Sequence, residues 1–210
     1  MVITKVELQK NNDYRFSIYI DGEFAFGVTD ELKYKYNLKK GLEIDQETLD
    51  EILALESNNK ALNYAVYLLS FRSRSEKEIR DKLIEKEYLP HQIEYVIDYC
   101  KDRNYINDYD FANSFVRDKI NINKYGPQKI KFQLSQKGIS DSIIREVLEE
   151  NIDKDEQYEN CMNLATKQAY KYRNDDQYKK YNKLCAYLYR RGYNYDIINN
   201  VVKEVLNEGS

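Results

Sequence analysis

The side chains that most often carry chemistry in proteins are few in this sequence, and they lie far apart. Its three cysteines, Cys100, Cys161 and Cys185, are singletons in apolar-periodic stretches, and its one histidine, His91, follows a proline. Zinc sites need clustered cysteine and histidine ligands, and most acid–base sites are built around an imidazole with a partner. The cysteines therefore predict reduced cytosolic thiols within the core, and His91 predicts an exposed side chain rather than a ligand.

The sequence also lacks the short motifs that bind phosphate or metal. It contains no Walker-type phosphate loop, no dinucleotide-binding glycine pattern and no His-Glu-x-x-His. Carboxylates are plentiful, but they fall at polar helix positions without a histidine partner or a metal-ligand spacing. We therefore expect no catalytic residue, no cofactor and no metal. No apolar run reaches about 18 residues and the N-terminus is not a signal peptide, which predicts a cytoplasmic protein without a membrane segment.

Charge is the feature that most suggests a binding surface. The net charge is −3, yet residues 117–137 carry +5 and residues 167–191 carry +6, whereas residues 141–159 carry −6. Such runs fit two interpretations, simple solvation of helix exteriors or a basic face for an anionic polymer or an acidic protein groove. The candidate contact residues are Arg72, Arg74, Arg80, Arg117, Lys119, Lys124, Lys129, Lys131, Lys171, Arg173, Arg190 and Arg191.

A repeated pattern of apolar residues indicates which elements carry these charges. Six apolar positions recur three times, first 51 and then 54 residues apart, with the spacing of amphipathic helices. They are occupied by Ile79, Leu83, Tyr88, Ile93, Val96 and Ile97, then by Ile130, Leu134, Ile139, Ile144, Val147 and Leu148, and then by Leu184, Leu188, Tyr193, Ile198, Val201 and Val202. The pattern predicts three tandem repeats of three helices. These residues are expected to be buried, with the exception of Tyr88, Ile139 and the third set, for which we predict only the register. Phe132 is expected to lie opposite the buried face of its helix.

Helix start signals fall at equivalent places in the first two repeats. A capping box, Ser75 with Glu78, begins the second helix of the first repeat, and Gly126 followed by proline begins that of the second. In the third repeat Lys180 occupies this position, and we interpret this as the loss of a cap in a terminal repeat. Third helices are predicted to begin after Leu89, at Ser140 and at Asn194.

Helix stop signals repeat as well. Gly138 and Gly192 are predicted to end their helices in the left-handed conformation, which glycine adopts without steric penalty. The first repeat has Glu87 at this position. If Glu87 adopts a positive φ, it does so at a cost of roughly 1 kcal/mol relative to glycine. Arg80 has a further possible role, because Glu76 lies four residues before it and favours an ion pair within the helix.

The first 55 residues follow a different pattern, with apolar residues at every second position. Three such stretches are separated by residues 11–13 and by Asp21-Gly22, a strong hairpin signal. Thr29 and Asp45 are suitable caps for two helices that would cover one face of the resulting sheet. The predicted fold is therefore mainly α, with three tandem three-helix repeats and a small N-terminal unit of β-meander plus helices. The expected boundaries are residues 1–56, 57–106, 107–152 and 153–210.

Four stretches resemble the RecX family, whose members are bacterial regulators of the RecA recombinase. They are ITKVELQKNNDYRFSIYIDGEFAFGV at 3–28, AVYLLSFRSRSEKEIRDKL at 65–83, NYINDYDFANSFVRDK at 104–119 and GPQKIKFQLSQKGI at 126–139. The resemblance implies a non-enzymatic modulator that binds RecA in the groove of the RecA–DNA filament. It further implies suppression of the ATPase, strand exchange and coprotease activities of RecA.

Two departures from the family pattern are Asn104 and Asn107, which replace a glycine and an aspartate in the third stretch. The acidic N-terminal unit and a pI near 5.5 predict that the chain's own binding to single- or double-stranded DNA is weak, because nonspecific affinity follows the number of phosphates neutralised. The chain is expected to be a monomer. Two alternatives stay open. Three-helix units with basic second helices resemble independent nucleic-acid-binding modules, and a helical array alone equally fits a scaffold for another protein.

Overall fold

The computed structural model describes residues 1–10 and 12–207. Within these residues the elements follow the predicted order, strands first and helices after them. They are β1 (Ile3–Gln9), β2 (Asn12–Ile20), β3 (Glu23–Thr29), α1 (Asp30–Lys35), α2 (Gln46–Phe71), α3 (Glu76–Glu85), α4 (Pro90–Asp102), α5 (Asp108–Asn121), α6 (Pro127–Gln136), α7 (Asp141–Asn151), α8 (Lys154–Lys171), α9 (Gln177–Arg191) and α10 (Tyr195–Asn207). The chain forms two compact units, residues 1–71 with 82–102, and residues 72–81 with 103–210.

The N-terminal strands form the predicted antiparallel meander in the order β1-β2-β3. Asp21 and Gly22 both have positive φ, 49° and 96°, as a two-residue hairpin turn requires. The other predicted connection is shorter than expected, because Asn12 and Asp13 already belong to β2, and Asn11 lies outside the described residues. One face of the sheet is buried with residues from the helices that follow it, in a core of Ile3, Ile18, Phe26, Val28, Leu32, Leu38, Ile44 and Ile52.

Two helices cover this sheet, and both begin as predicted. The Thr29 hydroxyl accepts the Leu32 N–H at 3.4 Å, and the Asp45 carboxylate accepts the Thr48 N–H at 2.8 Å. The second of these helices, α2, does not stop at residue 56 but continues for 26 residues through the first helix of the first repeat. No proline or glycine interrupts this stretch, so nothing in the local sequence ends the helix. The predicted boundary at residue 56 therefore falls inside a continuous helix.

The second and third repeats each have a separate apolar core. In the second repeat, α5, α6 and α7 enclose Phe111, Ala112, Val116, Ile120, Ile130, Leu134, Ile139, Ile144 and Val147. In the third, α8, α9 and α10 enclose Cys161, Ala165, Leu184, Leu188, Tyr193, Ile198, Val201 and Val202. The predicted core residues of the first repeat, Ile79, Leu83, Ile93, Val96 and Ile97, are buried too.

One core prediction is wrong: Leu148 is only half-buried. It lies near the C-terminal end of α7 and lines a depression together with Ile144 and four charged residues, Lys131, Asp141, Arg145 and Glu149. The repeat register correctly identifies an apolar position, and Leu148 packs against the core of the second repeat without being fully covered. The buried face of α7 is therefore narrower than the apolar pattern indicates.

The predicted helix boundaries of the first two repeats are confirmed. Ser75 and Glu78 form the reciprocal capping box, with N–H to oxygen distances of 3.2 and 3.3 Å. Gly126 caps α6 and is followed by Pro127, and the Ser140 hydroxyl accepts the Ile143 N–H at the start of α7. Left-handed residues follow all three second helices, with φ of 61° at Glu87, 80° at Gly138 and 91° at Gly192.

The prediction for Lys180 is wrong, because the second helix of the third repeat has a cap one turn earlier. α9 begins at Gln177, and the Asp176 carboxylate accepts the Lys179 N–H at 2.9 Å. Lys180 is therefore inside the helix. The third repeat is not degenerate at this helix start; it has a longer second helix than the others.

The residues with reactive side chains occupy the predicted environments. Cys100 and Cys161 are buried and Cys185 is half-buried, all as free thiols. Burial raises the pKa of Cys161 to about 12, which makes its thiolate inaccessible at neutral pH. His91 is exposed, in the first turn of α4. In the described part of the chain there is no metal-binding group of three or more His, Cys, Asp or Glu, and no helix is long and apolar enough to span a membrane.

Candidate interaction surface

The second helices of the first two repeats meet end to end at a first junction. The Ser75 hydroxyl at the start of α3 donates to the carbonyl of Lys137, the residue that follows α6, at 2.7 Å. The Lys137 ammonium in turn lies 2.8 Å from a Glu78 carboxylate oxygen. The N-terminal end of one second helix thus lies on the C-terminal turn of the next.

The same arrangement recurs between the second and third repeats, at a second junction. The Gly126 N–H, immediately before α6, donates to the Arg191 carbonyl at 2.9 Å, and the Gln128 N–H donates to the Gly192 carbonyl at 3.0 Å. Helix starts carry N–H groups and helix ends carry carbonyls that have no partner within their own helix. At this junction each set satisfies the other, with the helix dipoles aligned favourably.

The first junction is an ion-pair network centred on an acid. Glu78 accepts hydrogen bonds from both terminal nitrogens of Arg72, at 3.1 and 3.2 Å, as well as from Lys137. Partial burial alone would raise the pKa of Glu78, but the hydrogen bonds from Arg72 and Lys137 outweigh it and lower that pKa to about 2. The candidate residue Arg72 is therefore engaged with Glu78, the acid at the centre of this junction.

The second junction is basic and aromatic, with no equivalent acid at its centre. The Lys129 ammonium lies 4.0 Å from the centre of the Tyr125 ring, and the Arg191 guanidinium lies 5.5 Å from the same centre. Arg191 also donates to the Asn123 carbonyl at 2.8 Å, and the Tyr193 hydroxyl donates to the Lys124 carbonyl at 3.0 Å. Residues more than 60 positions apart in the chain are brought together here.

A pocket of about 580 Å³ opens beside the second junction. We call it the junction pocket. Its walls are formed by α6, the end of α9 and the start of α10, and its lining residues are Gln128, Lys129, Phe132, Tyr189, Arg190, Gly192, Tyr193, Asn194 and Tyr195. Three of the rings are largely exposed: Phe132 at 61%, Tyr189 at 73% and Tyr195 at 70%. Phe132 thus lies opposite the core, as its helix position predicts, and is not covered by the next repeat.

One surface at the second junction therefore contains four of the predicted contact residues, Lys124, Lys129, Arg190 and Arg191. We call these residues, together with Tyr125 and the junction pocket, the junction surface. The others are distributed more widely. Arg80 makes the intrahelical ion pair with Glu76, at 2.7 Å, and Arg74 is half-buried. Lys131 lines a depression that also contains Asp141 and Glu149.

On the remaining helices, the predicted residues lie among neutral partners. Arg117 donates to the Asn151 side chain at 2.9 Å, and the Lys119 ammonium lies 4.9 Å from the centre of the Phe115 ring. Lys171 ends α8, and Arg173 beyond it lies 4.8 Å from the centre of the Tyr170 ring. Neither Lys171 nor Arg173 lines the junction pocket.

Sequence reasoning did not identify Lys137, Tyr125, Tyr189 or Tyr195 as functional residues. A signal for Lys137 was present, since a basic residue immediately precedes the left-handed residue in all three repeats. These residues are Lys86, Lys137 and Arg191. A cation at this position interacts favourably with the helix C-terminus. In the second and third repeats it also lies at the junction with the preceding repeat.

Family comparisons match four separate parts of the chain. The matching families are described as the regulatory protein RecX N-terminal domain, at residues 1–45, and as the first, second and third three-helix domains of RecX, at residues 61–100, 107–148 and 155–202. Among curated relatives, the regulatory protein RecX of Clostridioides difficile (strain 630) is 42% identical over 98% of this chain and 96% of its own length. That of Clostridium botulinum (strain Alaska E43 / Type E3) is 39% identical over 98% and 96%.

Solved structures of proteins with the same name have the same fold. A crystal structure of regulatory protein RecX aligns with a TM-score of 0.81 and 30% identity, covering 97% of this chain and 98% of that one. The structure of RecX from Lactobacillus salivarius aligns with a TM-score of 0.66 and 36% identity, covering 72% and 97%. The tandem three-helix repeats, the N-terminal meander and the identity to relatives over nearly the whole length lead to one conclusion: this chain belongs to the RecX family of regulatory proteins.

Proposed function

We propose that this chain is a non-enzymatic modulator, mainly an inhibitor, of the RecA recombinase. It acts in the cytoplasm as a monomer that binds in the groove of the RecA–DNA filament and suppresses ATPase, strand exchange and coprotease activity. The observation that carries the proposal is the match over nearly the full length to relatives named regulatory protein RecX. The names of these relatives support a regulatory role. The family resemblance described above supports RecA as the target.

The charge distribution supports a partner of this kind. A filament groove presents DNA phosphates and acidic side chains together. A surface with clustered lysine and arginine side chains has the opposite charge to both. The junction surface offers such a set at the meeting point of two repeats. Two of its cations, Lys129 and Arg191, pack over the Tyr125 ring, which holds their charges in place while leaving them partly accessible.

The direct test is the DNA-dependent ATPase of RecA, measured with and without substoichiometric amounts of this chain. An inhibitor that occupies the filament groove lowers the steady-state rate at ratios well below one chain per RecA protomer. An unchanged rate at all ratios, with the chain shown to be folded, contradicts the proposal.

Salt dependence separates this function from that of an independent duplex-binding module. A protein held only by six or more phosphate contacts loses affinity about a thousandfold between 50 and 200 mM salt. A filament binder that also makes protein contacts loses less. Binding to the RecA filament should therefore persist at salt concentrations at which binding to bare duplex has disappeared.

A further inference from the structure

We propose that the junction pocket binds one unstacked base of a single-stranded nucleic acid, with the adjoining phosphate at Arg190. The proposal concerns the isolated chain and does not depend on its action on RecA. It rests on three features of the pocket: exposed rings, an amide pair, and a cation that has no ion-pair partner in the described part of the chain.

The rings provide the surface for stacking. Phe132 on α6, Tyr189 on α9 and Tyr195 on α10 line the same pocket, and each exposes more than half of its surface. The chain exposes other large apolar side chains as well, but these three come from three different helices and line one pocket. Stacking of a base on an aromatic ring contributes about 1–3 kcal/mol and tolerates any base.

The amide pair provides polar groups at the edge of the pocket. The Gln128 side-chain nitrogen donates to the Asn194 side-chain oxygen at 3.1 Å. Within the described residues, the remaining amide atoms, the Gln128 oxygen and the Asn194 nitrogen, make no other hydrogen bond. One acceptor and one donor on adjacent side chains match the edges of nucleobases, which present the same two groups.

The cation provides the contact for the backbone phosphate. Arg190 lines the pocket and is exposed, and no carboxylate within the described residues lies within ion-pair distance of its guanidinium. Lys129 also lines the pocket, with its ammonium over the Tyr125 ring. Arginine binds phosphate in a two-pronged geometry that lysine does not provide, which makes Arg190 the phosphate contact.

The first junction shows that packing of the repeats does not require these side chains. There the equivalents of Gln128 and Phe132 are Lys77 and Asp81, which form an ion pair at 2.5 Å. The equivalents of Tyr189, Arg190 and Tyr195 are a serine, a glutamine and an aspartate. Both junctions place the start of one second helix on the end of the next, yet they differ in the very side chains that would contact a base.

The test is binding of this chain to a labelled single strand of about ten nucleotides, measured by fluorescence anisotropy in about 50 mM salt. Tyr189→Ala and Phe132→Ala should each weaken binding about tenfold, because each removes one stacking surface. Tyr178→Ala is the matched control, since Tyr178 is equally exposed on the same helix but lies outside the pocket. Its affinity should equal that of the parent, and Tyr189→Phe, which keeps the ring, should bind as the parent does.

An abasic strand of the same length separates stacking from charge. The two ring variants should bind this strand as the parent does, whereas Arg190→Gln should weaken binding to both strands and reduce the salt slope by about one. The fluorescence of a strand that carries 2-aminopurine should decrease when the strand binds the parent, and should decrease less when it binds Tyr189→Ala. Phe132→Ala provides the same comparison if Tyr189→Ala does not fold.

Three outcomes would overturn the proposal. The parent binds ordinary and abasic strands equally, the ring variants bind the ordinary strand as tightly as the parent, or the parent does not bind single strands. If the ring variants keep strand binding but no longer inhibit RecA, the pocket is a contact for a protein instead. Loss of strand binding with full RecA inhibition leaves the RecA proposal intact, so the two proposals fail separately.

Discussion

Glu87 and Gly192 occupy equivalent positions after second helices, and both have positive φ, yet only one of them is glycine. The difference follows from what lies against each residue. A Cβ atom on Gly192 would lie 2.4 Å from the Lys129 backbone nitrogen, whereas Glu87 is exposed. Glycine is therefore needed at position 192 for close approach of the preceding repeat as well as for its backbone conformation.

Gly192→Ala should consequently destabilise the protein more than a glycine substitution at an open turn. Gly41→Ala is the matched control, because Gly41 has a φ of 86° but no atom within 4 Å of its Cβ position. The control should lose about 1 kcal/mol, from backbone strain alone. Gly192→Ala should lose roughly 1–3 kcal/mol more, because the new methyl group displaces the start of α6. Urea denaturation measures both, and equal losses would mean that the junction adapts to a side chain.

The corresponding prediction for the first repeat has the opposite sign. Glu87→Gly should leave the free energy of unfolding unchanged or raise it by up to roughly 1 kcal/mol, because it relieves a positive φ at an exposed residue. Thermal denaturation followed by circular dichroism measures the change. A clear decrease in melting temperature would show that the Glu87 side chain makes a stabilising contact.

Glu78 gives the first junction a dependence on pH. Its pKa is lowered to about 2 in the folded chain, below the ordinary value of 4.5, so its charged form stabilises the folded state. That stabilisation is complete above the unfolded-state pKa and disappears as the pH falls from about 5 to about 2. Glu78→Gln should therefore reduce stability by on the order of 1–2 kcal/mol at pH 7, and the difference from the parent should vanish at low pH.

The matched control for this experiment is Glu85→Gln on the same helix. Glu85 pairs with Lys82 at the exposed surface, where an ion pair contributes little. Stability measured from pH 7 down to pH 3 should fall more steeply for the parent than for Glu78→Gln. Parallel curves of stability against pH for the parent and for Glu78→Gln would contradict the assigned role of Glu78.

At the scale of elements, the second helices of the second and third repeats have two functions, to fill the core of their own repeat and to end against the start of the preceding second helix. Leu134 on α6 is completely buried and is part of the core of the second repeat. Leu134→Ala should lower the free energy of unfolding by about 2–5 kcal/mol, since it leaves a cavity in that core. Ser135→Ala, at the adjacent exposed position, is the control and should change it by less than about 0.5 kcal/mol. A small loss for Leu134→Ala would contradict the repeat packing.

Much of the fold was predictable because its signals are local. The capping box at Ser75, the proline after Gly126 and the hairpin at Asp21-Gly22 act within a few residues, and the structure confirms each of them. The predictions failed where local patterns compete. Lys180 was aligned with a cap by the repeat register, although Asp176 offered a better one four residues earlier. The continuity of α2 was not predicted, although the absence of a proline or glycine between its two predicted halves indicates a single helix.

The candidate site was only partly predictable, since it consists of contacts between repeats. Charge runs identified Lys129, Arg190 and Arg191, but not that they meet around Tyr125 and the junction pocket. The helix position of Phe132 predicted its exposure, but the high tyrosine content masked Tyr189 and Tyr195, because nothing in the local sequence distinguishes a ring in a pocket from one on open surface. The recurring basic residue before each left-handed turn was the available clue.

At the scale of the whole molecule, three repeats provide a series of similar surfaces with different chemistry. The first junction is held by an acid and two cations, and the second presents cations and rings. A repeated architecture allows such divergence, since each repeat has its own core and its outer residues are free to change. The proposed function requires that this surface recognise a filament of protein and DNA rather than either component alone.

The measurement that tests this claim most directly is binding of the labelled chain to preassembled RecA filaments on single-stranded DNA, compared with the same DNA without RecA and with RecA alone. At about 150 mM salt, the account predicts that the filament is bound at least tenfold more tightly than either component, since phosphate contacts alone are weakened by salt. Equal affinity for bare DNA and for the filament would contradict it, and would assign the chain to nucleic-acid binding in its own right.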